Sequence, residues 1–95
     1  MNNFYKTTKW IKKRANVLRR DEYLCRECKR YGKQTPATTV HHIFPLEHYP
    51  QYKLKTANLY SCCAVCHNSF HDRGSHELTD KGMKLLERMK SQIEE

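Results

Sequence analysis

Val40-His41-His42-Ile43, Asn58-Leu59 and Cys63-Ala64-Val65-Cys66-His67-Asn68-Ser69-Phe70-His71 are three pieces of one stretch, residues 40–71, from which the rest of the chain can be read. Two adjacent imidazoles followed by a second pair four residues apart make an improbable arrangement in a small chain unless the rings converge. A metal ion is the natural point of convergence. Imidazole is the commonest neutral nitrogen ligand, and two histidines at i and i+4 share one helix face.

A chain of 95 residues with 38% apolar content fits one domain but buries a thin core, and such domains usually need a staple. The cysteines supply it. There are five, Cys25, Cys28, Cys62, Cys63 and Cys66. An odd count, two adjacent members and the expected lack of a secretory leader argue against a disulfide framework. Cys25-x-x-Cys28 and Cys63-x-x-Cys66 instead form two knuckles with the spacing of a four-thiolate zinc site in a reducing compartment. Four thiolates close a tetrahedral shell and leave no position for water, so the expected role of that zinc is structural. The gap between the knuckles is long for a zinc motif and predicts an inserted functional unit. Cys62 is left over and reads as a small buried apolar residue.

The formal net charge is +8, and residues 1–34 carry all of it: eleven of the eighteen Lys and Arg lie there against three acids. That asymmetry points to a polyanion, nucleic acid ahead of membrane, because no long apolar run or lipidation signal is present. Residues 1–5 read as an extended arm. Thr7 or Thr8 caps a helix to about Arg20, with Ile11, Ala15 and Leu18 as its apolar face, Trp10 and Val17 adjoining. Lys9, Lys12, Lys13, Arg14, Arg19 and Arg20 fall mostly on the opposite surface and are the nucleic-acid-binding candidates. Trp10 reads as a core anchor rather than a base-stacking platform.

Ala37-Thr38-Thr39-Val40 predicts a strand that delivers the two imidazoles at its end, and Pro45 limits further pairing. Residues 46–57 form an ordered excursion closed by Asn58, and Leu59-Tyr60-Ser61-Cys62 is the returning strand. A short helix then carries His67 and His71, followed by a turn region around Gly74 and Ser75. Thr79 caps a last helix whose stripe of Leu85, Leu86, Met89 and Ile93 faces the core or the first helix. His48 and His76 read as surface histidines, and Arg73 either meets phosphate or sits on a helix end.

The order of these parts resembles the HNH endonuclease family, with His42, Asn58 and His67 as the motif residues inside a four-cysteine framework. Phe4-Tyr5, Trp10, Leu18, Tyr23-Leu24-Cys25, Pro36-Ala37, Asn58-Leu59 and Cys66-His67-Asn68 extend the likeness to small bacteriophage members. The resemblance implies a small α+β fold: a ββα-metal finger flanked by N- and C-terminal helices and stapled by zinc. As one domain, 1–95, it divides into a basic helical arm (1–24), the zinc-stapled core (25–78) and a C-terminal helix (79–95). The resemblance implies that His42 is the general base, that Asn58 braces the loop to aim His42, and that His41, His67 and His71 hold one divalent ion. His41 stands where many relatives have Asp, a departure that makes the sequence more similar to the colicin-type branch, whose i, i+4 ligand pair His67 and His71 match. Asn68 competes with His71 for the third ligand position. A neutral three-imidazole shell accepts Mg²⁺, Mn²⁺, Ni²⁺ or Zn²⁺, so geometry and supply select the catalytic metal.

The implied activity is metal-dependent hydrolysis of phosphodiester bonds in DNA. The implied setting is a phage protein in the host cytoplasm, a monomer without membrane association, working beside terminase subunits during genome packaging. Two alternatives stay open on the residues alone. One is a noncatalytic zinc-stabilised nucleic-acid-binding module, for which a metal-free imidazole at His42 would have no use. The other is a toxin-type RNase with the same active site, separable only by substrate comparison.

Overall fold

The computed structural model describes residues 3–72, 74–75 and 77–94. The elements run α1 (Thr8–Arg20), α2 (Arg26–Arg30), β1 (Thr39–His42), β2 (Leu59–Cys62), α3 (Ala64–Phe70) and α4 (Asp80–Ile93), with short 3₁₀ turns at Asn3–Lys6, Pro50–Tyr52 and Thr56–Asn58. This is the expected small α+β arrangement, built on one two-stranded antiparallel sheet. Among the described residues no helix is long and apolar enough to cross a membrane. Arg73 and His76 lie outside the described residues, as does the start of the N-terminal arm.

β1 and β2 pair with Val40 opposite Ser61, His41 opposite Tyr60 and His42 opposite Leu59. Alternation along the strands sends successive side chains to opposite faces. Val40 and Leu59 join Trp10, Val17 and Leu18 of α1 in one apolar cluster. Tyr60 and Cys62 point the other way, into a larger cluster with Ile43, Phe44, Phe70 of α3 and Leu85, Leu86, Met89 and Ile93 of α4. The sheet is therefore covered on both sides, and its strands are almost wholly buried. The stripe of α4 enters the core against α3, not against α1.

Three local expectations shift. Asn3–Lys6 is a 3₁₀ turn rather than an extended arm, because Thr7 both donates to the Phe4 carbonyl (2.7 Å) and accepts from Trp10 N–H (3.2 Å) as the cap of α1. Ile11 and Ala15 are exposed; the buried side of α1 is Trp10, Val17 and Leu18. The half-buried Arg14 lies on that side, and its guanidinium donates to the Thr38 carbonyl at 2.9 Å. The first strand begins at Thr39 rather than at Ala37, and carries both imidazoles at its end as expected.

α3 ends at Phe70, so His71 is not on the helix; it has extended backbone (φ −124°, ψ 141°) and bridges Leu78. The cause is the start of α4. The Thr79 hydroxyl donates to the Ser69 carbonyl (2.6 Å), the Thr79 amide to the Phe70 carbonyl (2.9 Å), and Gly82 N–H closes the cap onto the same hydroxyl (3.2 Å). Gly82 is needed there, since a Cβ would run into the Phe70 carbonyl oxygen.

Around the knuckles, the buried Glu27 accepts from the Tyr60 hydroxyl (2.9 Å) and pairs with Arg30 (3.2 Å) and Arg88 (3.5 Å). One carboxylate thus ties α2, β2 and α4 around the cysteines, and its cationic partners offset the cost of burying the charge.

Candidate metal centres and the adjacent cleft

Cys25 caps α2, Cys63 caps α3, and with Cys28 and Cys66 their sulfurs all lie within 4.8 Å of one another. The Cys28 sulfur is 3.9 Å from that of Cys63 and 3.7 Å from that of Cys66. Four sulfurs at tetrahedral zinc distance would stand about 3.8 Å apart, so this constellation fits the ion. Burial pushes the Cys63 thiol up, but the Cys66 N–H and neighbouring thiols outweigh it and bring it down to about 7. Burial and its thiol neighbours push Cys66 up. In such a cluster the thiol protons leave in exchange for a bound cation. Cys62 is buried and stands outside this cluster.

The second constellation joins His41, His67 and His71, one ring nitrogen of each lying within 4.8 Å of the others. The His41 ring packs on Phe70 at 4.8 Å between centroids, with His71 at 5.0 Å and His67 at 5.4 Å. His41 is 1% exposed, and neither of its ring nitrogens has a hydrogen-bond partner among the described residues. An imidazole buried this deeply without a partner is costly unless something else meets it, and a cation bound by three imidazoles would do so. Burial first, then the neighbouring histidines, hold His41 well below the usual imidazole range, and His67 is lowered for the same reasons. Neutral imidazole is the ligating form. Asn68 is exposed on α3 and lines the adjacent cleft.

His42 occupies the other sheet face. Its Nε2 lies 3.1 Å from the Lys53 carbonyl oxygen, and its ring stacks on Trp10 with centroids 5.0 Å apart and planes 24° apart. Burial lowers its pKa, while the bond to Lys53 opposes that shift. Asn58 is fully buried and bridges the excursion: its Oδ1 accepts from Phe44 N–H (2.7 Å), and its Nδ2 donates to the carbonyls of Phe44 (3.2 Å) and Tyr52 (3.3 Å). Fixing Tyr52 fixes the next residue, Lys53, whose carbonyl meets His42. A cleft of about 1020 Å³ opens over His42, His67 and His71, and Arg14, Glu47 and Glu77 also line it.

A family model described as HNH endonuclease matches residues 25–73. The crystal structure of the HNH endonuclease of deep-sea thermophilic bacteriophage GVE2, with manganese ion, aligns at a TM-score of 0.67 and 42% sequence identity, covering 68% of this chain and 71% of that chain. This chain belongs to the HNH endonuclease family. Among curated proteins there is no match.

The protein is thus a nuclease, a hydrolase of nucleic acid, and its six candidate contact cations are not equivalent. Arg20 is held inward: it pairs with Asp21 at 2.7 Å and donates to the carbonyls of Leu59 (2.7 Å) and Thr56 (3.0 Å). Lys13 reaches the Thr56 hydroxyl at 3.2 Å, and Arg14 holds Thr38 beside the cleft. Lys9, Lys12 and Arg19 are exposed. His48 is exposed as well, 3.8 Å from Glu77 at the cleft edge.

Two partners of this HNH site have no signature in the sequence. The Lys53 carbonyl is a backbone group, and any residue there would present it. Trp10 is buried, as a core anchor should be, but one of the faces it covers is His42.

Proposed function

We propose that this HNH nuclease is a metal-dependent DNA endonuclease in which His41, His67 and His71 hold one divalent ion and His42 is the general base. The observation that carries the reading is the buried His41 ring, whose two nitrogens have no hydrogen-bond partner among the described residues while the rings of His67 and His71 converge on it. A divalent ion bound there would draw charge from the scissile phosphate and stabilise the departing 3′ oxygen. The manganese named with the phage relative supports that ion or one of its class, Mg²⁺, Ni²⁺ or Zn²⁺.

The chain's own residues supply the rest. With Nε2–H donated to the Lys53 carbonyl, His42 keeps Nδ1 as its basic nitrogen and takes a proton there from the attacking water. Asn58 is a positioning residue that acts through the loop. Cys25, Cys28, Cys63 and Cys66 hold a structural zinc. The basic arm 1–24 brings DNA to the core 25–78, Lys9, Lys12 and Arg19 meeting phosphates outside the cleft and Arg14 meeting them inside it, with helix 79–95 completing one monomeric domain. The bacteriophage source of the structural relative supports a phage setting in the host cytoplasm, beside terminase subunits in genome packaging; co-purification with terminase subunits tests that extension.

The test of the activity is supercoiled plasmid incubated with wild type, His42→Ala and His67→Ala across Mg²⁺, Mn²⁺, Ni²⁺ and Zn²⁺, with and without chelator, beside an RNA substrate. His42→Ala should lose cleavage on the order of 10²-fold or more while binding metal normally. His67→Ala should lose metal affinity and regain part of its activity at raised metal. Wild-type cleavage by His42→Ala, or exclusive action on RNA, overturns the reading.

A further inference from the structure

We infer that Trp10, supplied by α1 outside the segment matched by the family, is a positioning residue that fixes the plane of the His42 ring for proton transfer. The inference rests on the assignment of His42 as base. An imidazole on a strand has two free torsions, and aiming one nitrogen at a water requires both to be fixed. The bond from Nε2 to the Lys53 carbonyl fixes the direction of one ring corner but leaves the ring free to turn about that axis. A flat stack removes the remaining freedom, and Trp10 provides it with ring planes 24° apart. Phe4 and Tyr5 close the surround, each 6.1 Å from the His42 ring in edge-on contact, and each packs on Trp10 in turn, at 5.3 and 5.6 Å.

The wall is itself rigid. Trp10 is 5% exposed and belongs to the cluster of Val17, Leu18, Val40 and Leu59, and its amide is bound by the Thr7 cap. The matched segment, residues 25–73, thus contains the carbonyl that holds His42 but not the surface that flattens it. In this chain the basic helix completes the catalytic geometry as well as carrying charge.

Steady-state plasmid cleavage at saturating metal, with Trp10→Leu and Trp10→Phe beside wild type and His42→Ala, tests this. Trp10→Leu should lower kcat on the order of 10-fold to 10²-fold, leaving KM for DNA and metal affinity within about twofold, and Trp10→Phe should restore most of the loss. A tryptophan of purely structural importance would lower the folded fraction but leave kcat per folded molecule unchanged. A folded Trp10→Leu with wild-type kcat overturns the inference while His42→Ala remains inactive; an active His42→Ala overturns the base assignment instead. Trp10 is the only tryptophan of the chain, so a second readout survives even if Trp10→Leu does not fold. The emission of Trp10 should change in intensity on His42→Ala in the folded protein, and identical emission would overturn the stack.

Discussion

Truncating Asn58 to alanine tests the brace at the centre of the site. The side chain is fully buried and makes three hydrogen bonds, accepting from Phe44 N–H and donating to the carbonyls of Phe44 and Tyr52. Alanine leaves all three backbone groups without that partner. An orphaned buried N–H costs about 1–3 kcal/mol, and carbonyls, with a second lone pair each, cost less. Adding the small cavity, the loss comes to about 3 kcal/mol, a large share of the roughly 5–15 kcal/mol that holds a domain together. For a domain of this size that is a fall in Tm of roughly 12–24 °C. The assay is thermal unfolding followed by circular dichroism at saturating zinc, with cleavage measured well below the transition. The loop should loosen at Tyr52 and Lys53, so the folded fraction should also show reduced kcat with DNA affinity retained. Asn58→Asp should lose at least as much, because its second oxygen would face two carbonyls. A Tm for Asn58→Ala within about 3 °C of wild type would refute the reasoning.

Gly82→Ala should destabilise by about 1–3 kcal/mol despite the better helix propensity of alanine, since the methyl meets the Phe70 carbonyl; a urea midpoint at or above wild type would refute the close approach. Replacing Lys9, Lys12 and Arg19 by glutamine should flatten the salt dependence of DNA binding by about 0.9 in log–log slope for each phosphate no longer neutralised. Arg20→Gln should lower Tm and leave that slope nearly unchanged, because its guanidinium holds Asp21, Thr56 and Leu59; equal slopes for Arg20→Gln and the triple variant would contradict the division. Cys28→Ser should drop zinc from about one per chain and unfold the domain, such sites contributing on the order of 10 kcal/mol; a folded variant with full zinc content on elemental analysis would remove Cys28 from the shell.

Much of this architecture was legible because its signals are local and chemical. Thr7 and Thr79 cap helices through their own hydroxyls, paired Cys-x-x-Cys spacings suit one tetrahedron, and the alternation of β2 is written in Leu59-Tyr60-Ser61-Cys62. The family likeness rested on the same spacings and now stands on the matched segment 25–73. What the sequence concealed depends on long-range contacts. The end of α3 is set by Thr79, nine residues beyond Phe70, so the i, i+4 reading of His67 and His71 gave the right cluster through the wrong backbone. The rotation of α1 was misjudged because Arg14 counts as polar in any periodicity, although it is half-buried and reaches the Thr38 carbonyl. His42's partners at Lys53 and Trp10 are 11 and 32 residues away in the chain, and the first is a carbonyl that no side chain announces.

α3 spans only seven residues, yet its N-terminal end carries two of the four cysteines while its C-terminal end delivers His67 and leads directly into His71. The two candidate ion sites therefore share about two turns of one helix, so a displacement of one is felt at the other. An ion bound by the four sulfurs would steady the histidine cluster from the far end of the same helix, and its removal would loosen that cluster without touching an imidazole.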